Sequence, residues 1–288
     1  MVWVNTVGVV GAGIMGHGIA EVLAFAGLKV LLKDVDEAAL AKGLRKIDEV
    51  LQERVSEGKM TVQEKAQILA RITPTTTYDG FAEADFVIEA AVEDLALKRQ
   101  IFRDLDDITP ERAILASNTS ALSIAALGAA TKRPYRVVGM HFFNPAHKMK
   151  LVEVVRSVTT RQETVDATVE LAEKCRKLAV VVKDTPGFLV NRILTPVLLE
   201  SIRALEENVA SLRDIDLAMR AGAGFPMGVF ELADIVGLDT ALEVAETMHR
   251  ETGDPRYAPP PRLRRMVEAG LLGRKSGRGF YEYPKPED

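Results

Sequence analysis

Cysteine is nearly absent: Cys175 stands alone in 288 residues, so no disulfide forms within the chain and a reducing, cytoplasmic setting is expected. Its neighbours Glu173, Lys174, Arg176 and Lys177 belong to a charged helical pattern, which gives the thiol a packing role rather than a nucleophilic one. Basic runs are missing too. With 37 Lys and Arg against 41 Asp and Glu the formal charge is -4, and nothing offers a surface that tracks phosphates, so nucleic acid is not expected as a partner. The longest charge-free stretch, residues 113–131, carries Ser117, Asn118, Thr119, Ser120, Ser123, Gly128 and Thr131, which hydrocarbon would penalise, and no membrane span is expected. The opening Met1-Val2-Trp3-Val4-Asn5 has neither a basic segment nor a cleavage site, so no leader is expected. There is no tandem repeat or low-complexity tract, and no metal site is expected. What is present is an ordinary folding composition, 47% apolar and 27% charged, in a chain long enough to divide into two domains.

The first half alternates short β-branched runs with amphipathic stretches, the pattern of a parallel sheet flanked by helices. Strands are predicted at residues 6–10, 29–33, 85–89, 113–116, 136–140, 151–155 and 179–182. After the second comes a polar insertion, residues 37–72, broken at Ser56-Glu57-Gly58-Lys59-Met60 and restarted by the capping box Thr61-Val62-Gln63-Glu64, which predicts a helical hairpin. Beyond Val182 the strand signal ends, and Asp184-Thr185-Pro186-Gly187-Phe188 has the turn residues of a domain boundary. Ile193, Val197, Leu198 and Ile202, then Leu212, Ile215 and Met219, recur at helical spacing. The expectation is an α/β domain over residues 1–184 followed by an all-α domain over 185–288, whose apolar faces suit closure over substrate and pairing into a homodimer.

Gly11-Ala12-Gly13-Ile14-Met15-Gly16 is a G-x-G-x-x-G turn between a predicted strand and a predicted helix. The first glycine permits the tight turn, the second lets a pyrophosphate approach the backbone, and the third brings helix and strand together, with the phosphates at a helix N-terminus. Asp34 closes the second strand, 23 residues after Gly11, where this Rossmann-type arrangement hydrogen-bonds an adenosine ribose and repels a 2′-phosphate. NAD is the expected cofactor, although Lys33 next door could tolerate extra negative charge.

Of four histidines, His141 alone closes a predicted strand beside that crevice, and it opens His141-Phe142-Phe143-Asn144-Pro145. The chain returns as Leu151-Val152-Glu153-Val154-Val155, where Glu153 alternates with valines and needs a partner if buried. A His141–Glu153 pair would supply a general base for a hydroxyl proton. A polar edge glutamate and a core histidine remain the plainer account.

Five segments, Gly11 to Gly16, Ser117-Asn118-Thr119-Ser120, His141-Phe142-Phe143-Asn144-Pro145, Gly187-Phe188-Leu189-Val190-Asn191-Arg192 and Gly277-Arg278-Gly279-Phe280-Tyr281, together resemble the L-3-hydroxyacyl-CoA dehydrogenase family, bacterial 3-hydroxybutyryl-CoA dehydrogenases included. They run in family order over almost the whole chain. The resemblance implies NAD-dependent interconversion of an (S)-3-hydroxyacyl-CoA and a 3-ketoacyl-CoA, in fatty-acid or butanoate metabolism, with an acyl-CoA as the small-molecule partner. It implies His141 as catalytic base and Glu153 as its orienting carboxylate, with Ser120 and Asn191 holding the substrate oxygens. It further implies cofactor contacts from Glu93, Lys98, Ser120, Asn144 and Lys275, beside the glycine turn and Asp34. Two other readings stay open: a non-catalytic relative that keeps the fold, and a dehydrogenase of sugar acids.

Overall fold

The computed structural model describes residues 4–284; residues 1–3, part of the segment expected to carry no leader, lie outside them. The described residues divide between Thr185 and Pro186 into two compact units. The first runs β1 (Thr6–Val10), α1 (Gly16–Phe25), β2 (Lys29–Lys33), α2 (Glu37–Ser56), α3 (Val62–Leu69), β3 (Ile72–Thr75), β4 (Phe86–Glu89), α4 (Leu95–Ile108), β5 (Ile114–Ser117), α5 (Ile124–Gly128), β6 (Val137–Phe142), β7 (Leu151–Arg156), α6 (Gln162–Lys174) and β8 (Leu178–Lys183).

These strands form one sheet in the order β3-β2-β1-β4-β5-β6-β7-β8. The six strands from β3 to β6 are parallel, and β7 and β8 run against them. Strand order reverses between β1 and β4, so a crevice opens at their carboxyl ends, where doubly wound sheets bind nucleotides. Near-continuous apolar strands fit a sheet covered on both faces. Val7, Val9, Leu32, Ile88, Val138 and Val152 are fully buried in it, packed with Ile19 and Leu23 of α1 and Ile47 and Leu51 of α2. Cys175 lies in the same core, and burial pushes its thiol up to about 12, which leaves it inert at neutral pH.

Two local differences from the sequence reading have physical causes. The helical hairpin is α2 and α3, with the Thr61–Glu64 capping box formed, but the chain then adds β3, which pairs with β2 at the sheet edge. Ile-Thr-Pro-Thr shows no alternation, and its Pro74 cannot donate to a ladder, which is tolerable on an edge strand. At the other place, β6 continues past Met140 to Phe142 because β7 pairs with it antiparallel, with His141 opposite Glu153. His141 therefore lies within a strand.

The second unit comprises α7 (Val190–Glu206), α8 (Leu212–Ala223), α9 (Val229–Val236), α10 (Leu238–Thr252) and α11 (Pro261–Glu268). Its core is Leu199, Ile202, Phe230, Ala233, Leu238, Ala245 and Leu263. Two buried aspartates tie its segments together. Asp216 of α8 accepts from the amides of Phe230 and Glu231 and from the Tyr281 hydroxyl. Asp234 of α9 accepts from the amides of Phe280 and Tyr281 and from the Tyr283 hydroxyl. Among the described residues no helix is long and apolar enough to cross a membrane, and no cluster of three His, Cys, Asp or Glu side chains could hold a metal ion.

Candidate active site

The glycine turn is built for close approach. Gly11 has φ +103°, where a Cβ would sit 2.6 Å from the Ala90 carbonyl oxygen at the end of β4. A Cβ on Gly16 would collide with the Gly11 carbonyl, whereas one on Gly13 would meet nothing within 4 Å. Gly13 thus faces open space just before α1, whose N-terminus has no side-chain cap and no acidic residue in its first turn. Ala12 is buried behind the turn, while Ile14 and Val35 stand 74% and 80% exposed at the carboxyl ends of β1 and β2, apolar surface on which a ring can lie. Asp34 accepts from the Ala12 amide through Oδ2 and from the Val35 amide through Oδ1, each at 2.6 Å. A carboxylate has about four acceptor positions, so two remain for a pair of ribose hydroxyls. The helix capped at this corner uses Asp36 instead, which accepts from Ala39 N. Open backbone, an uncapped helix terminus and an acid with spare lone pairs fit a dinucleotide.

At the far side of the crevice, His141 Nδ1 lies 2.7 Å from Glu153 Oε2, with both residues buried. A carboxylate only accepts, so it holds the proton on Nδ1 and leaves Nε2 as the acceptor. Ser120 Oγ is 3.2 Å from that nitrogen, close enough for its hydroxyl to donate. The Phe143 ring lies 4.6 Å from the imidazole and helps enclose it. Asn118 Oδ1 accepts from Phe142 N, which fastens the end of β5 to the end of β6. Asn144 is exposed in the following turn, whose Ala146 and Met149 carbonyls both accept from the buried Lys177.

Glu93 and Lys98 belong to a third cluster. Glu93 Oε1 accepts from the Thr119 hydroxyl and from the Ser120 amide, and its other oxygen lies 3.3 Å from Lys98 Nζ. Lys98 is buried against Glu89, and Asp94 caps α4 through Leu97 N. Glu89 accepts from Lys98 Nζ, Ala91 N and Ser117 Oγ. Sequence reasoning passed over Glu89, and it placed Asn118 and Thr119 within a family segment without giving either a role. Glu89 carries the signal that singled out Glu153, an acid among apolar strand residues; Asn118 and Thr119 carry, beyond polarity, only their place in the Ser117–Ser120 segment.

Asn191 and Lys275 lie in the second unit. Asn191 is the second residue of α7 and half-buried, and Lys275 is exposed with its ammonium 2.6 Å from Asp239. The three remaining histidines lie elsewhere, His147 with its Nδ1 3.7 Å from Glu21 Oε2. His17 Nδ1 donates to the Gly13 carbonyl, and burial holds that imidazole below its ordinary value; His249 Nδ1 donates to the Asp254 carbonyl.

A doubly wound sheet with a glycine turn, an acid closing β2 and a buried His–Glu pair at the strand ends defines a nucleotide-dependent oxidoreductase. Residues 6–185 match the 3-hydroxyacyl-CoA dehydrogenase NAD binding domain, and residues 187–283 match the C-terminal domain of the same enzymes. The chain belongs to the 3-hydroxyacyl-CoA dehydrogenase family, and its cofactor is NAD. It is 47% identical over 275 residues to the probable 3-hydroxybutyryl-CoA dehydrogenase of Bacillus subtilis, covering 96% of each chain. It is 43% identical to the mitochondrial hydroxyacyl-coenzyme A dehydrogenase of Sus scrofa, covering 97% of this chain and 91% of the pig protein. The crystal structure of (S)-3-hydroxybutyryl-CoA dehydrogenase PaaH1 from Ralstonia eutropha matches with a TM-score of 0.94 at 45% identity, over 98% of this chain and all of that one.

Proposed function

We propose that the chain interconverts (S)-3-hydroxyacyl-CoA and 3-ketoacyl-CoA, with His141 as general base in oxidation and general acid in reduction. The observation that carries this reading is the buried 2.7 Å contact of His141 with Glu153, which leaves Nε2 facing Ser120. The glycine turn would hold the cofactor phosphates, Asp34 the adenosine ribose, and Glu93 and Asn144 the end nearest His141. When bound, NAD supplies the acceptor for the hydride that leaves C3 of the substrate.

His141 Nε2 takes the proton of the 3-hydroxyl. Glu153 faces the resulting imidazolium at Nδ1 and stabilises it, which lowers the cost of charge separation in a buried site. Ser120 donates to the substrate oxygen without ionising, so it serves alkoxide and ketone alike. In the reverse direction the imidazolium returns its proton to the oxygen. His141 is 5% exposed, which keeps water from competing for that proton. The role of Asn191 rests on the Gly187–Arg192 segment that contains it, and that of Lys275 on the family resemblance of the C-terminal segment just before Gly277.

Steady-state oxidation of NADH with acetoacetyl-CoA and with a longer 3-ketoacyl-CoA tests the reading. Turnover on at least one is expected, and no turnover on either overturns it.

A further inference from the structure

Lys98 was expected to line the cofactor site, yet its ammonium turns inward. The residue is 1% exposed, and Nζ donates to Glu89 Oε1 at 2.7 Å and to the Ala91 carbonyl at 3.1 Å, with Glu93 Oε2 at 3.3 Å. An ammonium has three donors, and three protein oxygens face it. Glu89 is as fully engaged: Oε1 also accepts from Ala91 N at 2.6 Å, and Oε2 accepts from the Ser117 hydroxyl at 2.6 Å. Glu93 differs from both, since its side chain is 30% exposed at the rim. One of its oxygens is held by Lys98, and the other takes the Thr119 hydroxyl and the Ser120 amide. Ser120 is the residue whose hydroxyl meets His141 Nε2.

We propose that Glu89 and Lys98 are positioning residues for the reaction. The buried pair clamps Glu93, Glu93 clamps the Thr119–Ser120 backbone, and Ser120 thereby meets substrate oxygen and imidazole at the required spacing. A buried ion pair adds little stability over a neutral pair of the same shape, so what it supplies here is geometry. Misplacement of a reacting group by about 1 Å can cost on the order of a hundredfold in rate. The inference rests on the roles given above to His141 and Ser120.

Lys98→Met alone strands the Glu89 charge and can prevent folding, so the decisive variant is Glu89→Gln combined with Lys98→Met, which removes both charges at nearly constant volume. It is expected to melt within about 5 °C of the parent and to bind NADH, followed by fluorescence without substrate, within about threefold. Its kcat with acetoacetyl-CoA should fall by about tenfold or more while KM changes little. Glu93→Gln, which leaves the buried pair intact, should lower kcat by a similar factor, and combining all three substitutions should add nothing further. Loss of NADH affinity by tenfold or more with kcat preserved at saturation would instead make Lys98 a direct cofactor ligand. Parental kcat in the double variant, or additive losses in the triple, would make the pair structural only. Either result overturns the proposal. If the double variant does not fold, parental kcat in Glu93→Gln overturns it equally. A parent inactive on both 3-ketoacyl-CoA substrates would remove the dyad reading itself, a result separate from any difference between an active parent and these variants.

Discussion

Each ring nitrogen of His141 has one task, and its neighbour sets it. Nδ1 is committed to Glu153, opposite it in the β6–β7 ladder, so that Nε2 is the nitrogen presented to Ser120. Glu153→Gln keeps the volume and can still accept from Nδ1–H, but it withdraws the charge that, in the proposed mechanism, stabilises the imidazolium. Turnover should fall about a hundredfold or more, with NADH affinity within about twofold of the parent; an unchanged kcat would remove Glu153 from the mechanism. Asp34 lies at the other end of the crevice, at the position proposed for the adenosine ribose. The nearby cation that could balance a 2′-phosphate, Lys33, is 9% exposed with its ammonium 4.7 Å from the centre of the Tyr78 ring. Asp34→Ala should therefore weaken NAD by about tenfold and narrow its advantage over NADP, through loss of both the ribose acceptors and the anchor on Ala12 N. Initial rates with NADH and NADPH measure this, and equal use of the two by the parent would refute the role.

At the scale of elements, legibility followed pattern strength. The parallel strands and the helical hairpin were readable because burial on both faces writes continuous apolar runs, and a capping box writes a start signal. β3 was not, because an edge strand of four residues needs no apolar face and can accept Pro74. The glycine turn is legible because its conformation admits few other residues, and Glu153 because a carboxylate among buried valines demands a partner. The same logic should have flagged Glu89, which closes Phe86-Val87-Ile88 in the same manner. Lys98 was illegible for another reason: it sits in the exposed first turn of α4 by sequence, and only the fold supplies Glu89 and Glu93 to receive it. In the second unit, Asp234 of α9 anchors the 277–283 segment through two amides and the Tyr283 hydroxyl, beside the contact of the Phe230 and Phe280 rings. Burial and that carboxylate push Tyr283 up to about 12, so the phenol stays a donor at any working pH. Asp234→Ala leaves those amides without an acceptor and should destabilise this unit by about 3 kcal/mol. Thermal unfolding reads the effect, and a melting temperature equal to the parent's would show that the segment is held by its aromatic packing instead.

For the whole molecule, a net charge of -4 on 288 residues is too small for self-repulsion to govern stability against pH. Individual buried groups govern it, and Glu21 of α1 stands out among the described residues. It is 1% exposed, Oε2 has no hydrogen-bond partner, and the nearest opposite groups are Arg54 and the His147 ring, each at 3.7 Å. Burial raises its carboxyl from 4.5 to about 7, against the opposing pull of Arg54 and Lys177. The folded protein therefore keeps a proton that the unfolded chain releases, so stability is lost as pH rises from about 4.5 through about 7. The ceiling is about 3 kcal/mol, reached above neutrality. His147 works in the opposite sense, since burial and the cations Lys148, Arg54 and Lys177 hold its imidazole below the ordinary value, and its contribution fades as pH falls. Comparing the parent with Glu21→Gln separates the two, because only the glutamate's titration is removed. The variant should match the parent near pH 5 and melt several degrees higher at pH 8. A difference in melting temperature that is the same at both pH values would mean that Glu21 is ionised throughout, balanced by Arg54 and Lys177, and that the pH response of the fold arises elsewhere.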